Sequence, residues 1–330
     1  MRLSTTSIAR GENDTGAKPG VILNIGATYR KMNDVDLSLK IRATGRRIVV
    51  TPHARLYHFE SVTRNPTVSD VEMQRLQDRW LPQLRRERAI DFVIANAENA
   101  AAGAGITGAL ARSILGCGVD AITLGDHVWD QRGWENEITE IDRVCRPANL
   151  PKSNPGWDHL IIEARGFRVA VFTVLGRTFM GLKADCPFLC ADRMIAQLRP
   201  QCDAIIVEIH GEATSEKIAL GWHLDGRVTA VLGTHTHVPT ADHRILPGGT
   251  AVMGDAGMCG DYESILGMDR HEPIRRFLQK TPGDRMEPAS GPGTLCGVAI
   301  ETDDRTGLAT KCAAIRIGPH LEESRPTFWE

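Results

Sequence analysis

From about residue 89 onward the chain alternates short apolar runs with turn-forming and amphipathic stretches. The runs are Phe92–Ala95, Ala121–Leu124, Val169–Val174, Ala204–Glu208, Thr229–Leu232 and Ala251–Met253. Each has strand length, and turn residues lie close by. Two intervening stretches, Gly108–Cys117 and Cys190–Leu198, carry helical periodicity, and two β-rich runs, Gly297–Thr302 and Ala309–Ile317, come last. Alternating strands and helices followed by strands predict an α/β fold of stacked sheets with helices outside.

The pattern before residue 89 is different. The first twenty residues are rich in Gly, Ser, Thr and Asn and read as a poorly ordered start. An apolar run at Val21–Ile25, a helix-like Val35–Arg42, a strand-like Arg47–Thr51 and a charged helical Val71–Arg88 follow. Two units are therefore expected, a small and partly disordered αβ fragment over 1–88 and a larger domain over 89–330.

Composition adds little that is specific. At 42% hydrophobic and 24% charged residues, the chain is an ordinary globular protein. No apolar run is long enough for a membrane span, and the N-terminus lacks a signal core, so a cytoplasmic location is expected. Residues 1–90 carry 16 Lys/Arg against 9 Asp/Glu, a net of +7 that leaves −9 for the rest. These basic residues are scattered among few aromatics, which argues for segments of different origin rather than a nucleic-acid arm. The eight cysteines fall at irregular intervals. Cys186 and Cys190 have half a zinc-site spacing, but no second pair matches, so reduced, small buried thiols are expected.

The informative residues follow the strands. Phe92–Ala95 runs into Asn96-Ala97-Glu98-Asn99, and Ala121–Leu124 into Gly125-Asp126-His127. Ala204–Glu208 runs into His210-Gly211-Glu212, and Thr229–Leu232 into Gly233-Thr234-His235-Thr236-His237. In α/β folds such strand ends converge on the binding crevice. Carboxylates, an amide and imidazoles together are the donor set of divalent transition metals. Alternate residues of an extended His-Thr-His segment point the same way, and glycines at 125, 211 and 233 allow tight turns beside the site. Two metals can lower the pKa of a shared water, which predicts attack on phosphorus with His127 as general acid. The alternative role for His127 is to orient Asp126. His159, His223, His243 and His271 lack such company and read as structural or surface residues.

Several segments closely resemble the YmdB-type bacterial metallophosphoesterases, a branch of the calcineurin-like superfamily. They include AENAAAGAGIT (97–107), DAITLGDHVWDQ (120–131), RPANLP (146–151), HGEATSEKIALGWHLDGRVTAVLGTHTHVPTAD (210–242), RILPGGTA (244–251) and GDAGMCGDYESILGMD (254–269). The resemblance spans about 89–318. It implies a four-layer αββα sandwich, a dinuclear iron or manganese centre with zinc as an alternative, and hydrolysis of phosphodiesters including 2′,3′-cyclic nucleotides. By the same motifs Glu98 would bridge the metals, and Asn99 and His237 would complete the first site. Asp126, His210 and His235 would complete the second. The partners implied are a small-molecule phosphodiester or nucleotide and, as an option, further copies of the chain. Neither a membrane nor stable nucleic-acid binding is expected.

One departure stands out. Family members begin with a strand ending in Gly-Asp, whose Asp binds the first metal. Here the nearest counterpart, Ile22-Leu23-Asn24-Ile25-Gly26-Ala27, has alanine in that place and lies far upstream of Glu98. The expectation is a sandwich lacking its usual first strand, with an exposed sheet edge and a weakened first metal site. Residues 33–64 instead resemble the C-terminal part of a family-2 glycosyltransferase, with Asp34 and Asp36 in its Asn-Asp-Val-Asp motif. The nucleotide-sugar half is absent, so glycosyl transfer is a remote alternative. A metal- or nucleotide-binding protein without turnover is a nearer one.

Overall fold

The computed structural model describes residues 18–24, 81, 85–86 and 88–329, apart from 165, 280 and 282. Chain order begins with strand β1 (Lys18–Asn24), β2 (Phe92–Asn96), helix α1 (Gly108–Gly116), β3 (Ala121–Thr123) and the short helix α2 (Trp134–Glu137). Then come β4 (Val144–Cys145), β5 (Leu160–Ala164), β6 (Phe167–Leu175), α3 (Pro187–Leu198), β7 (Ala204–His210) and α4 (Thr214–His223). The remaining elements are β8 (Ala230–Thr234), β9 (Arg244–Ile245), β10 (Ala251–Met253), α5 (His271–Gln279), β11 (Leu295–Thr302) and β12 (Ala309–Ile317).

The strands form two six-stranded sheets, ordered β12-β11-β1-β2-β3-β4 and β5-β6-β7-β8-β10-β9. Both centres are parallel, β1 to β4 in the first and β6-β7-β8-β10 in the second. Parallel central strands are covered on both faces, so their sequences run apolar without a polar side. Alternation then divides each strand between two cores. Phe92 and Ile94 of β2 meet Ala204 and Ile206 of β7, with Ala230 and Leu232 of β8, in the core between the sheets. Val93 and Ala95 face the other way, onto Leu110, Ala111, Ile114 and Leu115 of α1. Ile205, Val207 and Ile209 likewise face Cys190, Met194 and Leu198 of α3 and Leu220 of α4. Helix α1 starts where Thr107 accepts a hydrogen bond from the Leu110 amide, 3.4 Å away.

The strand expected to be missing is present. β1 lies between β2, to which it is parallel, and β11, to which it is antiparallel. Its register places Asn24 beside Asn96. No exposed edge results there, because this place is interior to the sheet. An empty slot would leave two ladders of backbone donors and acceptors unpaired, and the apolar run Val21-Ile22-Leu23 fills it. The larger unit thus draws a strand from the first segment. The expected elements Val35–Arg42 and Arg47–Thr51, and the pair Asp34 and Asp36, lie outside the described residues.

Helix α4 escaped the reading of periodicity for a clear reason. Its buried positions are Lys217, Leu220 and Gly221, so two of the three are not apolar side chains. The eight cysteines are all free thiols. No helix among the described residues is long and apolar enough to cross a membrane.

Candidate metal centre

The inward-facing residues of the central strands turn polar at their carboxyl ends. On β2 the series Phe92, Ile94 continues to Asn96, and on β7 Ala204, Ile206 continues to Glu208 and His210. Asn96, Thr123 and Thr234 come from three strands and all donate hydrogen bonds to the buried Glu208 carboxylate. The Asn96 and Thr234 bonds measure 2.6 and 2.7 Å. Burial pushes the Glu208 carboxyl above its usual range, against the charge of His210 and these three donors. This carboxylate ties the two sheets together beneath the site. Glu208→Leu leaves three buried donors without an acceptor and is expected to remove at least about 3 kcal/mol of stability. Urea denaturation measures it, and a loss below about 1 kcal/mol would mean that the donors find other acceptors.

Glu98, Asp126, His210 and His235 meet directly above. One ligand atom from each lies within 4.8 Å of all the others. His210 Nε2 is 2.8 Å from Asp126 Oδ1 and 3.2 Å from Glu98 Oε1. His235 Nδ1 is 3.2 Å from the same Asp126 oxygen, and His235 Nε2 is 3.2 Å from Glu212 Oε2. Thr234 gives its only hydroxyl proton to Glu208, so its oxygen accepts from His210 Nδ1 at 2.9 Å. That bond fixes the tautomer and turns Nε2 toward the carboxylates. Burial by itself would depress the His210 imidazole, but the Glu98 charge and the bonds to Asp126 and Glu98 push it up to about 10. Burial would raise both carboxylates, and the imidazoles instead hold Asp126 well below the usual range and lower Glu98.

Asn99 and His237 form a separate pair. Asn99 Nδ2 is 3.1 Å from Glu98 Oε1 and 3.1 Å from His237 Nε2. His237 Nδ1 donates to the Leu266 carbonyl at 3.1 Å, and burial keeps its ring below the usual imidazole value, hence neutral. The His-Thr-His segment is not extended, which corrects the reasoning from strand alternation. β8 ends at Thr234, and His235 and His237 have φ of 98° and 65°. Non-glycine residues in this region are strained and persist where the surroundings hold them. The hold is Asp255, whose Oδ2 accepts from Thr236 N and Oγ1 at 2.9 and 2.8 Å and from Lys217 Nζ at 2.9 Å. Lys217 and Asp255 are both buried.

The glycines act by allowing close approach rather than by turning the chain. Gly125, Gly211 and Gly233 do not have positive φ. A Cβ on Gly125 would lie 1.8 Å from Glu98 Oε2 and 2.4 Å from His210 Nε2, and one on Gly233 would lie 1.7 Å from the Gly254 carbonyl.

His127 stands beside the cluster, half exposed, with Nδ1 2.7 Å from Asp130 Oδ2. Burial opposes its protonated form, but the bond to Asp130 and the charges of Glu98 and Asp126 raise its pKa overall. Asp130, Glu208, Glu212, Lys217 and Asp255 were not singled out by sequence reasoning. Only Asp130 left a local signal, a carboxylate three residues after an imidazole. Of the other histidines, His159 pairs with Asp158 and His223 with Asp192, away from the cluster.

Two buried oxygens in this arrangement, Glu98 Oε2 and Asn99 Oδ1, have no hydrogen-bond partner. Buried oxygens are rarely left so. With four carboxylate and imidazole donors around them, they fit a divalent cation.

A family model described as YmdB-like protein matches residues 70–315. The chain belongs to the YmdB-like family. Among YmdB-like relatives, it is 46% identical over 238 residues to the 2′,3′-cyclic-nucleotide 2′-phosphodiesterase of Bacillus subtilis, covering 72% of this chain and 89% of that one. A crystal structure of a novel phosphatase from Mycoplasma pneumoniae superposes with a TM-score of 0.73 at 28% identity, covering 95% of this chain and 96% of that one. A hypothetical protein from Thermus thermophilus gives a TM-score of 0.69 at 30% identity, with 91% and 99% covered.

Proposed function

We propose that the chain is a metal-dependent phosphodiesterase acting on phosphodiesters such as 2′,3′-cyclic nucleotides, with residues 89–330 as its catalytic unit. The observation that carries this reading is the cluster of Glu98, Asp126, His210 and His235 beside the imidazole of His127. The similarity to a relative named as a 2′,3′-cyclic-nucleotide phosphodiesterase supports the substrate class.

Glu98, Asp126, His210 and His235 would hold one divalent ion, iron or manganese by the family resemblance. Glu98, Asn99 and His237 would reach a second. Such ions supply Lewis acidity toward phosphoryl oxygens and a nucleophile from water at neutral pH. Asp130 holds His127 Nδ1, which leaves Nε2 for the substrate. Water adds to phosphorus and gives up one proton to solvent, the bond to the leaving ester oxygen breaks, and His127 Nε2 gives that oxygen its proton. The raised pKa of His127 keeps the proton available for this transfer.

The test is hydrolysis of 2′,3′-cyclic AMP by the purified protein in excess Mn²⁺. Turnover is expected, with a loss of about 10²–10⁴-fold in His127→Ala and unchanged metal content. Turnover that persists in the His210→Ala/His235→Ala double variant would sink the reading.

A second reading, a metal- and nucleotide-binding protein without turnover, is favoured by Ala27 in place of the family's aspartate. Nucleotide binding without product from folded protein would establish it. Glycosyl transfer rests on residues outside those described.

A further inference from the structure

On a loop that leaves the sheet beside the cluster lies a polar cavity of about 400 Å³, lined by Arg177, Thr178, Leu182, Lys183, Ala184 and Glu216. Its position is fixed by backbone. Leu175, the last residue of β6, is in register with His210, and the amide of Gly176 donates to the His210 carbonyl at 2.8 Å. The cavity loop therefore leaves the sheet beside a cluster residue. Both of its ends are tied down: Asn149 Nδ2 donates to the Leu175 and Asp185 carbonyls at 2.8 Å each. Leu182 and Ala184 pack on the same core as Ala101 and Trp129, which come from the loops carrying Glu98 and His127.

The charge in this cavity is unbalanced. Glu216 is its only acid, and its carboxylate is occupied by the amides of Arg177 at 3.1 Å and Thr178 at 3.0 Å. The side chains of Arg177 and Lys183 have no ion pair or hydrogen bond among the described residues. On the same loop, two residues after Arg177 and four before Lys183, Phe179 is 87% exposed at φ 64°. A large aromatic ring held in water by a strained backbone has the form of a stacking platform, which suits any base because every base has a π-face. The two cations of the cavity lining suit a phosphate.

We infer that this cavity receives the 5′-phosphate of a nucleoside 2′,3′-cyclic phosphate, with the base against Phe179 and the cyclic phosphate at the cluster. The inference rests on the phosphodiesterase reading and sharpens its substrate class. The ribose carries its cyclic phosphate on one edge and its 5′-oxygen on the other, so one sugar sets the two anionic groups apart. A nucleotide without a 5′-phosphate leaves Arg177 and Lys183 without an anion.

The experiment compares KM of the full chain in Mn²⁺ for 2′,3′-cyclic AMP with and without a 5′-phosphate. Bis(p-nitrophenyl) phosphate, which has neither base nor second phosphate, is the control. The 5′-phosphate is expected to lower KM about tenfold, the effect of one charge-assisted contact. Arg177→Ala/Lys183→Ala loses that gain and keeps its rate on the control. Phe179→Ala raises KM for both nucleotides and not for the control. Equal KM for the two nucleotides, or a gain that survives the double variant, overturns the inference. If the unaltered protein fails on the control as well, the phosphodiesterase reading falls, and calorimetric binding of the same two nucleotides decides the cavity. A binding preference for the 5′-phosphate that Arg177→Ala/Lys183→Ala removes supports it, and equal binding overturns it.

Discussion

Gly125→Ala abolishes high-affinity metal uptake and turnover while leaving the fold in place. The new Cβ would sit 1.8 Å from Glu98 Oε2 and 2.3 Å from His210 Cε1, well inside van der Waals contact. Both neighbours are side chains of the cluster, so they move and the backbone does not. Gly125 lacks positive φ, so alanine itself meets no backbone strain there. The displaced atoms are cluster donors themselves. Disturbing groups one shell further out already lowers metal affinity by about 10–100-fold, and the effect here is expected to be at least that large. Calorimetric titration with Mn²⁺ measures the affinity, and circular dichroism checks the fold. Gly116→Ala, on α1 with open space around it, is the matched control and leaves both unchanged. Normal Mn²⁺ affinity in Gly125→Ala would place the metal elsewhere.

The residues Glu98, Asp126, His210 and His235 were legible because each follows closely on the apolar run of a central strand; the inward alternation itself reaches only Glu98 and His210, and Asp126 and His235 fall out of phase with it. Phe92, Ile94 and Asn96 share a face, and the next alternate residue is Glu98. The four ends belong to two adjacent pairs, β2-β3 in one sheet and β7-β8 in the other, and the four residues meet where the sheets face each other. What supports the cluster was not legible. Glu208 closes an apolar run, and nothing local announces partners on β2, β3 and β8. Lys217 lies 38 residues from Asp255, and only the folded chain makes a buried lysine intelligible. The path of the His-Thr-His segment depends on that pair, which is why an extended segment was the wrong picture. β1 is the same kind of case. Its run Val21-Ile22-Leu23 could be read as a strand, but its place between β2 and β11 is decided by pairing with strands far along the chain.

The placement of β1 also bears on how many metal ions the chain holds. β1 runs parallel to β2, with Asn24 beside Asn96. Three residues after Asn24 the sequence carries Ala27, outside the described residues, where the family resemblance calls for an aspartate, and after Asn96 it carries Glu98 and Asn99. Asn99 and His237 are both uncharged, and the carboxylate beside them, Glu98, is shared with His210. A divalent ion on this side would meet little negative charge to offset the loss of its water, whereas on the other side it would meet both Asp126 and Glu98. The protein should therefore hold about one Mn²⁺ per chain after gel filtration, and Ala27→Asp should hold about two. Elemental analysis reads the stoichiometry, and electron paramagnetic resonance reads the coupling between neighbouring Mn²⁺ ions. Turnover should rise with occupancy: a second Lewis acid contributes several kcal/mol, and each 1.36 kcal/mol is tenfold, so a gain of about 100-fold is expected. Two tightly held, coupled ions in the unaltered protein would show that Asn99, His237 and Glu98 suffice. A single ion that persists in Ala27→Asp would mean that β1 fills the family's place in the sheet without bringing residue 27 to the metal.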